Sequence, residues 1–396
     1  MRKIAVITGT RADLGLLKPV IKKISENKNL SLKLIVTGSH LSKKYGYTVR
    51  EIIDAGFKIT KKVPLNLDSD SALSISKIVG DAVSKFGIVY NKLKPDIILV
   101  LGDRYEIFAA VAAAVSFRIP IAHVRGGEST EGAFDESFRH AITKMSHIHF
   151  AANKYYAYRI IQMGEMSKRV FCVGDPGLDN IVTYNLLTKK ELAEILNIPQ
   201  DIPWGILTYH PVTFEHGSFR QIRKILNVVQ KIKDIFWIMT YPNADTENKP
   251  IIKALKEYNI RNKSNSILVQ SLGSLKYLSL LKHAKIMVGN SSSGLVEAPS
   301  FKLPVVNIGE RQKGRICAGN VINVKDDSES KIKNAIEKAL SKKFKNSLKK
   351  IRNPYGNGNA STKIVKILNT IQLEKDFLKK KFNDVHPFKE RGYKIC

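Results

Sequence analysis

Acid is scarce in this chain. Its 396 residues carry 35 Asp and Glu against 65 Lys and Arg, a formal net charge of +30. Cysteine is scarcer still. Cys172, Cys317 and Cys396 lie far apart and form no CxxC or Cys/His cluster, so neither a disulfide framework nor a metal site is expected. No apolar run approaches the ~20 residues that span a bilayer, and no membrane segment is expected. The opening MRKIAVITGTRAD has a basic start, but its apolar run breaks at Thr8-Gly9, too soon for a secretory signal. The expected location is cytoplasmic.

A positive excess this large invites a nucleic-acid partner. Here it comes mostly from Lys spread along the whole chain. There is no RNP motif, helix-turn-helix signature or zinc-finger spacing, so nucleic acid is not the expected partner. The charge reads as surface lysine whose field favours a small anionic ligand. Residues 342–350 and 375–381 read as solvated helix faces.

What is present is ordinary for a globular chain: 43% hydrophobic and 25% charged residues, with length for two domains. Short apolar, β-prone runs alternate with amphipathic stretches. Strands are predicted at 3–8 (KIAVIT), 31–36 (SLKLIV), 95–101 (PDIILVL), 120–124 (PIAHV), 146–151 and 170–173. The theme restarts at 204–208 (WGILT), 236–239 (FWIM), 266–269, 286–288 and 304–308 (PVVNI). Helices are predicted at 14–26, 72–93, 107–116, 219–233, 274–283 and 361–372. Near-continuous apolar strands alternating with helices predict an α/β fold of two Rossmann-like, doubly wound domains facing a central cleft. The expected limits are 1–178 and 200–353, with a basic tail at 376–396.

Ligands of such folds sit beyond the carboxyl ends of the strands, and the suggestive loops all follow predicted strands. In GNSSSGLVE (289–297), Ser291, Ser292 and Ser293 bring hydroxyls and N–H groups to a predicted helix start, which suits phosphate. Glu297, one turn into that helix, suits ribose hydroxyls, and Arg311 of GERQKGR suits a phosphate. Arg11 in GTRAD suits another, or is a surface residue on a plain turn. The GTRAD loop is not the GxGxxG of dinucleotide folds. Asp103 and Arg104 follow the strand at 95–101 and suit acid–base chemistry near phosphate. In HVRGGESTEGAFD (123–135), Arg125, Glu128, Glu131 and Asp135 crowd around two glycines, either as a functional loop or a solvated one. Arg139 and His140 are expected to open a helix. His210, just past the strand at 204–208, suits a pyrophosphate or a leaving oxygen. The His147 and His149 pair reads as packing, since no carboxylate shares its spacing.

The set TGTRAD, GSHLSKKYGYTVREI, LKPDIILVLGDRYE, GGE…RHAITKMSH, HPVT, GNSSSG…E, GERQKGR and NPYGNGNA resembles the UDP-N-acetylglucosamine 2-epimerases, and most of all their hydrolysing branch. The motifs run from near residue 8 to near residue 360. The resemblance implies a glycosyltransferase-B type fold whose last helix, within 355–375, packs back on the first domain. It implies a hydrolase acting on a UDP-sugar without a cofactor. UDP leaves by elimination across C1–C2, giving a 2-acetamidoglucal. Water adds at C1 and a proton at C2, releasing N-acetylmannosamine. By the same resemblance Asp103 and Asp135 are acid/base carboxylates, Arg104 lies beside the diphosphate and His210 contacts it. Ser291 and Ser292 bind phosphate, Glu297 the ribose, and Arg11 and Arg311 the nucleotide. A homo-oligomer, dimer or tetramer, is expected.

The chain departs from that pattern at HVRGGE. Arg125 stands where the family has a catalytic Glu, and the following loop is one residue longer. Either Glu128 or Glu131 substitutes, or the acid/base assignment shifts within the loop, or the substrate is a UDP-2,4-diacetamido-2,4,6-trideoxy sugar instead of UDP-N-acetylglucosamine. The family's early Lys is here Leu16. A non-hydrolysing epimerase and a glycosyltransferase of the same fold are the competing readings. GDR and RHAITK argue against the first, and Asp103, Asp135 and His210 against the second.

Overall fold

The computed structural model describes residues 1–69, 71–130, 135–211, 218–242, 248–325 and 328–384. The chain folds as two compact units. One comprises Met1–Glu128, Ser137–Gly174 and the chain from Ser361 onward; the other comprises Ser129–Glu136 and Asp175–Ala360.

The first unit is built on seven strands: β1 (Arg2–Thr8), β2 (Leu30–Thr37), β3 (Ile59–Val63), β4 (Ile97–Leu101), β5 (Ile121–Val124), β6 (Ile148–Ala151) and β7 (Val170–Cys172). They pair in parallel in the order β3-β2-β1-β4-β5-β6-β7. The second unit holds β8 (Trp204–Thr208), β9 (Phe236–Thr240), β10 (Ser266–Val269), β11 (Ile286–Gly289), β12 (Val305–Ile308) and β13 (Val321–Val324). Their order, β10-β9-β8-β11-β12-β13, repeats that of the first six strands. Each sheet therefore changes winding direction once, between β1 and β4 and between β8 and β11. In a doubly wound sheet that point opens a crevice at the strands' carboxyl ends.

Burial explains why the central strands read so plainly in the sequence. Every residue of β4, β5, β8, β9, β11 and β12 is buried, because helices cover both faces of a parallel sheet. The edge strands β3 (ITKKV) and β13 (VINV) escape the sequence reading. Their residues are mostly half-buried or exposed, and β3 carries Lys61 and Lys62, as edge strands do to block further pairing.

Two apolar layers flank each sheet. Phe86, Tyr90 and Ile107 lie in the layer on one face of the first sheet. The other layer joins Leu17, Val20 and Ile21 of the Arg11–Glu26 helix to Ile364, Val365 and Leu368 of the Ala360–Thr370 helix. The chain thus returns to the first unit for its last helix. Among the described residues, no helix is long and apolar enough to cross a membrane.

Candidate active site

In the first unit the loops after β1 and β4 meet. Thr10 caps the Arg11–Glu26 helix, and Asp13 closes a capping box by accepting from the Gly9 and Thr10 amides at 2.8 and 2.7 Å. The helix begins earlier than expected, so Arg11 stands in its first turn, not in a loop. Its guanidinium pairs with Glu51 at 3.1 Å, both half exposed. After β4, Arg104 donates to Glu106 at 2.6 Å. Glu106 is 1% exposed, and its second oxygen has no partner among the described residues. A Cβ on Gly9 would come within 2.8 Å of the Glu106 carboxylate, so this loop needs glycine to admit it. His40 lies buried alongside, bonded to Thr8 and Thr48 at 3.1 and 2.8 Å. Burial lowers its pKa.

Asp103 is held by the guanidinium of Arg139, itself 4% exposed. The Asp135–Met145 helix carries that arginine and opens four residues before it, not at it. The same helix presents Thr143 to His123 Nδ1 at 3.2 Å, and His123 Nε2 donates to the Gly102 carbonyl at 2.8 Å. Burial brings His123 down to about 3, so the ring is neutral and serves as a fixed strut behind Asp103. Arg125, in a left-handed backbone conformation, grips Glu128 through two bonds of 2.8 and 3.1 Å. Both Glu128 oxygens face a guanidinium, the geometry of a bidentate ion pair more than of a base open to substrate. Glu131 lies outside the described residues.

The segment Ser129–Glu136 belongs to the second unit. Glu136 accepts from the Ser129 hydroxyl and the Thr130 amide, both at 2.7 Å, and Arg315 donates to the Thr130 hydroxyl at 3.2 Å. Asp135 is half-buried at the start of its helix.

The rest of the second unit's cluster forms after β8 and β11. Asn290 joins the two loops. Its side chain accepts from the His210 amide at 2.7 Å and donates to the His210 carbonyl at 2.8 Å. Its own carbonyl accepts from Arg311 at 3.2 Å and Gln312 at 2.8 Å. Burial, and next the Arg311 charge, bring His210 down to about 3. Its ring is neutral at pH 7 and not a resident cation. Gly289 has φ +132, and a Cβ there would lie 1.9 Å from the Thr208 carbonyl oxygen.

The helix after the serines is a single turn, Ser293–Val296, so Glu297 caps its end instead of lying inside it. A dipole of that length is weak. An anion here would be held by N–H groups, the Ser291 and Ser292 hydroxyls and Arg311. The Tyr277 phenol, raised by burial, sits among Ser293, Ser291 and Thr208.

The expected residues, Glu131 apart, thus fall into two groups, one in each unit. Glu106, His123, Arg139, Asn290 and Tyr277 were not foreseen as parts of them. Glu106, His123, Arg139 and Asn290 lie inside the quoted motifs, but nothing in the spacing says what each would hold. The His147 and His149 rings are buried, in keeping with the packing reading, and Glu165, 16 residues on, accepts from His149 Nε2 at 3.0 Å. Among the described residues no group of three or more metal-ligating side chains comes together.

The fold has counterparts among known proteins. A structure of a UDP-N-acetylglucosamine 2-epimerase from Neisseria meningitidis, bound to UDP-GlcNAc, superposes with TM-score 0.79. The superposition covers 93% of this chain and 99% of that one at 23% identity, a likeness of fold. In sequence, the chain is 42% identical to a hydrolysing GDP/UDP-N,N'-diacetylbacillosamine 2-epimerase of Campylobacter jejuni, over 87% of this chain and 89% of that protein. It is 37% identical to a hydrolysing UDP-N,N'-diacetylbacillosamine 2-epimerase of Legionella pneumophila, over 96% and 99%. It is 35% identical to a UDP-N-acetylglucosamine 2-epimerase of Neisseria meningitidis, over 86% and 88%. The family model for UDP-N-acetylglucosamine 2-epimerase matches residues 22–369. With a match of that extent, the chain belongs to the UDP-N-acetylglucosamine 2-epimerase family.

Proposed function

We propose that this protein is a hydrolysing 2-epimerase whose substrate is UDP-N,N'-diacetylbacillosamine, a UDP-2,4-diacetamido-2,4,6-trideoxy sugar. The sequence reading put UDP-N-acetylglucosamine first and this sugar second. The observation that reverses the order is that two relatives, 42% and 37% identical, are named for the diacetylated sugar. The UDP-N-acetylglucosamine enzyme stands at 35%. The Arg125–Glu128 pair supports the reversal, because the two side chains replace the open loop carboxylate that the family pattern led one to expect.

In this reading Asp103 or Asp135 takes the proton from C2 while the bond from C1 to the diphosphate oxygen breaks. UDP leaves with the electron pair and a glycal remains. Water then adds at C1, and the other carboxylate delivers a proton to the opposite face of C2. The sum is one water consumed, one UDP released and one sugar inverted at C2. Arg139 orients Asp103, and Glu106 orients Arg104. Ser291, Ser292 and Arg311 hold the leaving diphosphate, with Glu297 on the ribose. His210 donates to it as a neutral ring, and the approaching negative charge raises its affinity for a proton.

The test is a proton NMR time course in D2O with each sugar nucleotide separately. The expected result is consumption of the diacetamido substrate with release of UDP and deuterium at C2 of the product. Turnover of UDP-N-acetylglucosamine alone would return the assignment to the simpler sugar. A product still joined to UDP would make the enzyme non-hydrolysing.

A further inference from the structure

The segment after the last helix has no place in the reaction just described, yet it is built into the first unit at one point. Lys380 donates to three acceptors: the Lys144 carbonyl at 2.5 Å, the Ser146 carbonyl at 2.7 Å and Glu165 Oε2 at 2.7 Å. An ammonium has three protons, and here each is used. Two of the acceptors lie at the C-terminal end of the Asp135–Met145 helix, where carbonyls lack intrahelical partners and a cation is favoured.

The third acceptor, Glu165, is 2% exposed and also accepts from Lys144 at 2.7 Å and His149 at 3.0 Å. Burial works against its charge, but His149, Lys144 and Lys380 outweigh that and bring it to about 2. Around this point the segment is seated by shape. Phe377 stacks on the His147 ring and lies 4.3 Å under the Arg169 guanidinium. The Asn383 amide donates to the Gly164 carbonyl at 3.0 Å. A Cβ on Gly164, at φ +86, would come within 2.4 Å of the Phe382 ring.

We propose that this segment is a clasp on the helix that holds Asp103, with Lys380 and Glu165 as positioning residues of the reaction. The route is short. Thr143 adjoins Lys144 in the clasped turn and reaches His123, which holds the Gly102 carbonyl next to Asp103. One turn back, Arg139 grips the Asp103 carboxylate itself. If the last turn frays, both supports of Asp103 loosen together, whereas Ser291, Ser292, Glu297 and Arg311 belong to the other unit. The kinetic part of this inference rests on the epimerase reading; the clasp itself does not.

The experiment compares Lys380→Ala with Lys379→Ala, whose side chain is 77% exposed and, among the described residues, pairs with Asp376. In Lys380→Ala, deuterium exchange should quicken at amides 140–147, and kcat should fall about tenfold with KM unchanged, the scale of a modest misplacement. Propylammonium, which replaces the missing atoms, should restore both, and tetramethylammonium should not. Lys379→Ala should match the wild type. Unchanged exchange in Lys380→Ala would overturn the clasp. Faster exchange with an unchanged kcat would overturn its positioning role. Wild-type inactivity on every sugar nucleotide would count against the epimerase reading, and the exchange rates would then decide the clasp alone.

Discussion

Two carboxylates near the first cluster are each held by a guanidinium, and the consequences differ. Asp103 is gripped by Arg139 but keeps a quarter of its side chain open. Glu128 is 3% open and has both oxygens engaged by Arg125. Asp103 is therefore the group that can meet a substrate. Asp103→Asn keeps the shape and, on the proposed mechanism, removes one of the two acid/base carboxylates. It should lower turnover about 10³-fold while calorimetry finds UDP bound as in the wild type, and a wild-type rate would remove Asp103 from the mechanism. Arg125→Ala should instead show itself in stability. It removes the bidentate ion pair of a buried carboxylate, at a cost of about 3 kcal/mol, which urea unfolding would register; an unmoved midpoint would mean that the pair adds nothing to stability.

At the scale of the element, a strand followed by a tight turn positions each cluster. Gly289 ends β11 against the Thr208 carbonyl of β8, where no side chain fits. Gly289→Ala forces the two central strands of the second sheet apart, and an expected loss of about 3 kcal/mol or more should appear as a lowered melting temperature. Gly80 is the comparison. It lies within the Ala72–Leu93 helix with nothing near its missing Cβ, so Gly80→Ala should be neutral or raise stability by up to about 1 kcal/mol. A Gly289→Ala variant as stable as Gly80→Ala would show that the turn can rearrange.

Which elements were legible in the sequence follows from the same burial. PDIILVL and WGILT announce themselves because both faces of their strands are covered. ITKKV does not, because an edge strand shares its pattern with a polar loop. The Ser turn was legible as a turn, but the length of its helix was not: after one turn the chain passes into a 3-10 turn, Ala298–Phe301, that holds Pro299.

For the whole molecule the buried histidines set a pH limit. Burial, as the largest cause in each case, brings His123 and His210 to about 3 and His147 to about 4. The unfolded chain binds protons near pH 6.5, which the folded chain refuses until far lower. Stability should hold above pH 7 and fall as the pH drops from about 6.5 towards 4, by about 1.4 kcal/mol per pH unit for each such histidine. Self-repulsion from a net charge of +30 acts in the same direction. Melting temperatures across that range test this, and a flat profile from pH 7 to 4.5 would contradict neutral burial of these rings.

The sequence by itself determined the α/β class, the alternation of elements and the strand-end loops that bear Asp103, His210 and the serines. Those are local properties: an apolar run flanked by small residues says the same thing wherever it sits. Only the tertiary structure decided the partners. Arg139 lies 36 residues from Asp103, Asn290 80 residues from His210, and Lys380 234 residues from the Ser146 carbonyl it holds. No spacing rule spans such separations. A hydrogen bond acts over about 3 Å of space, and which distant residues share that space is settled by how the sheets order their strands and where the chain returns.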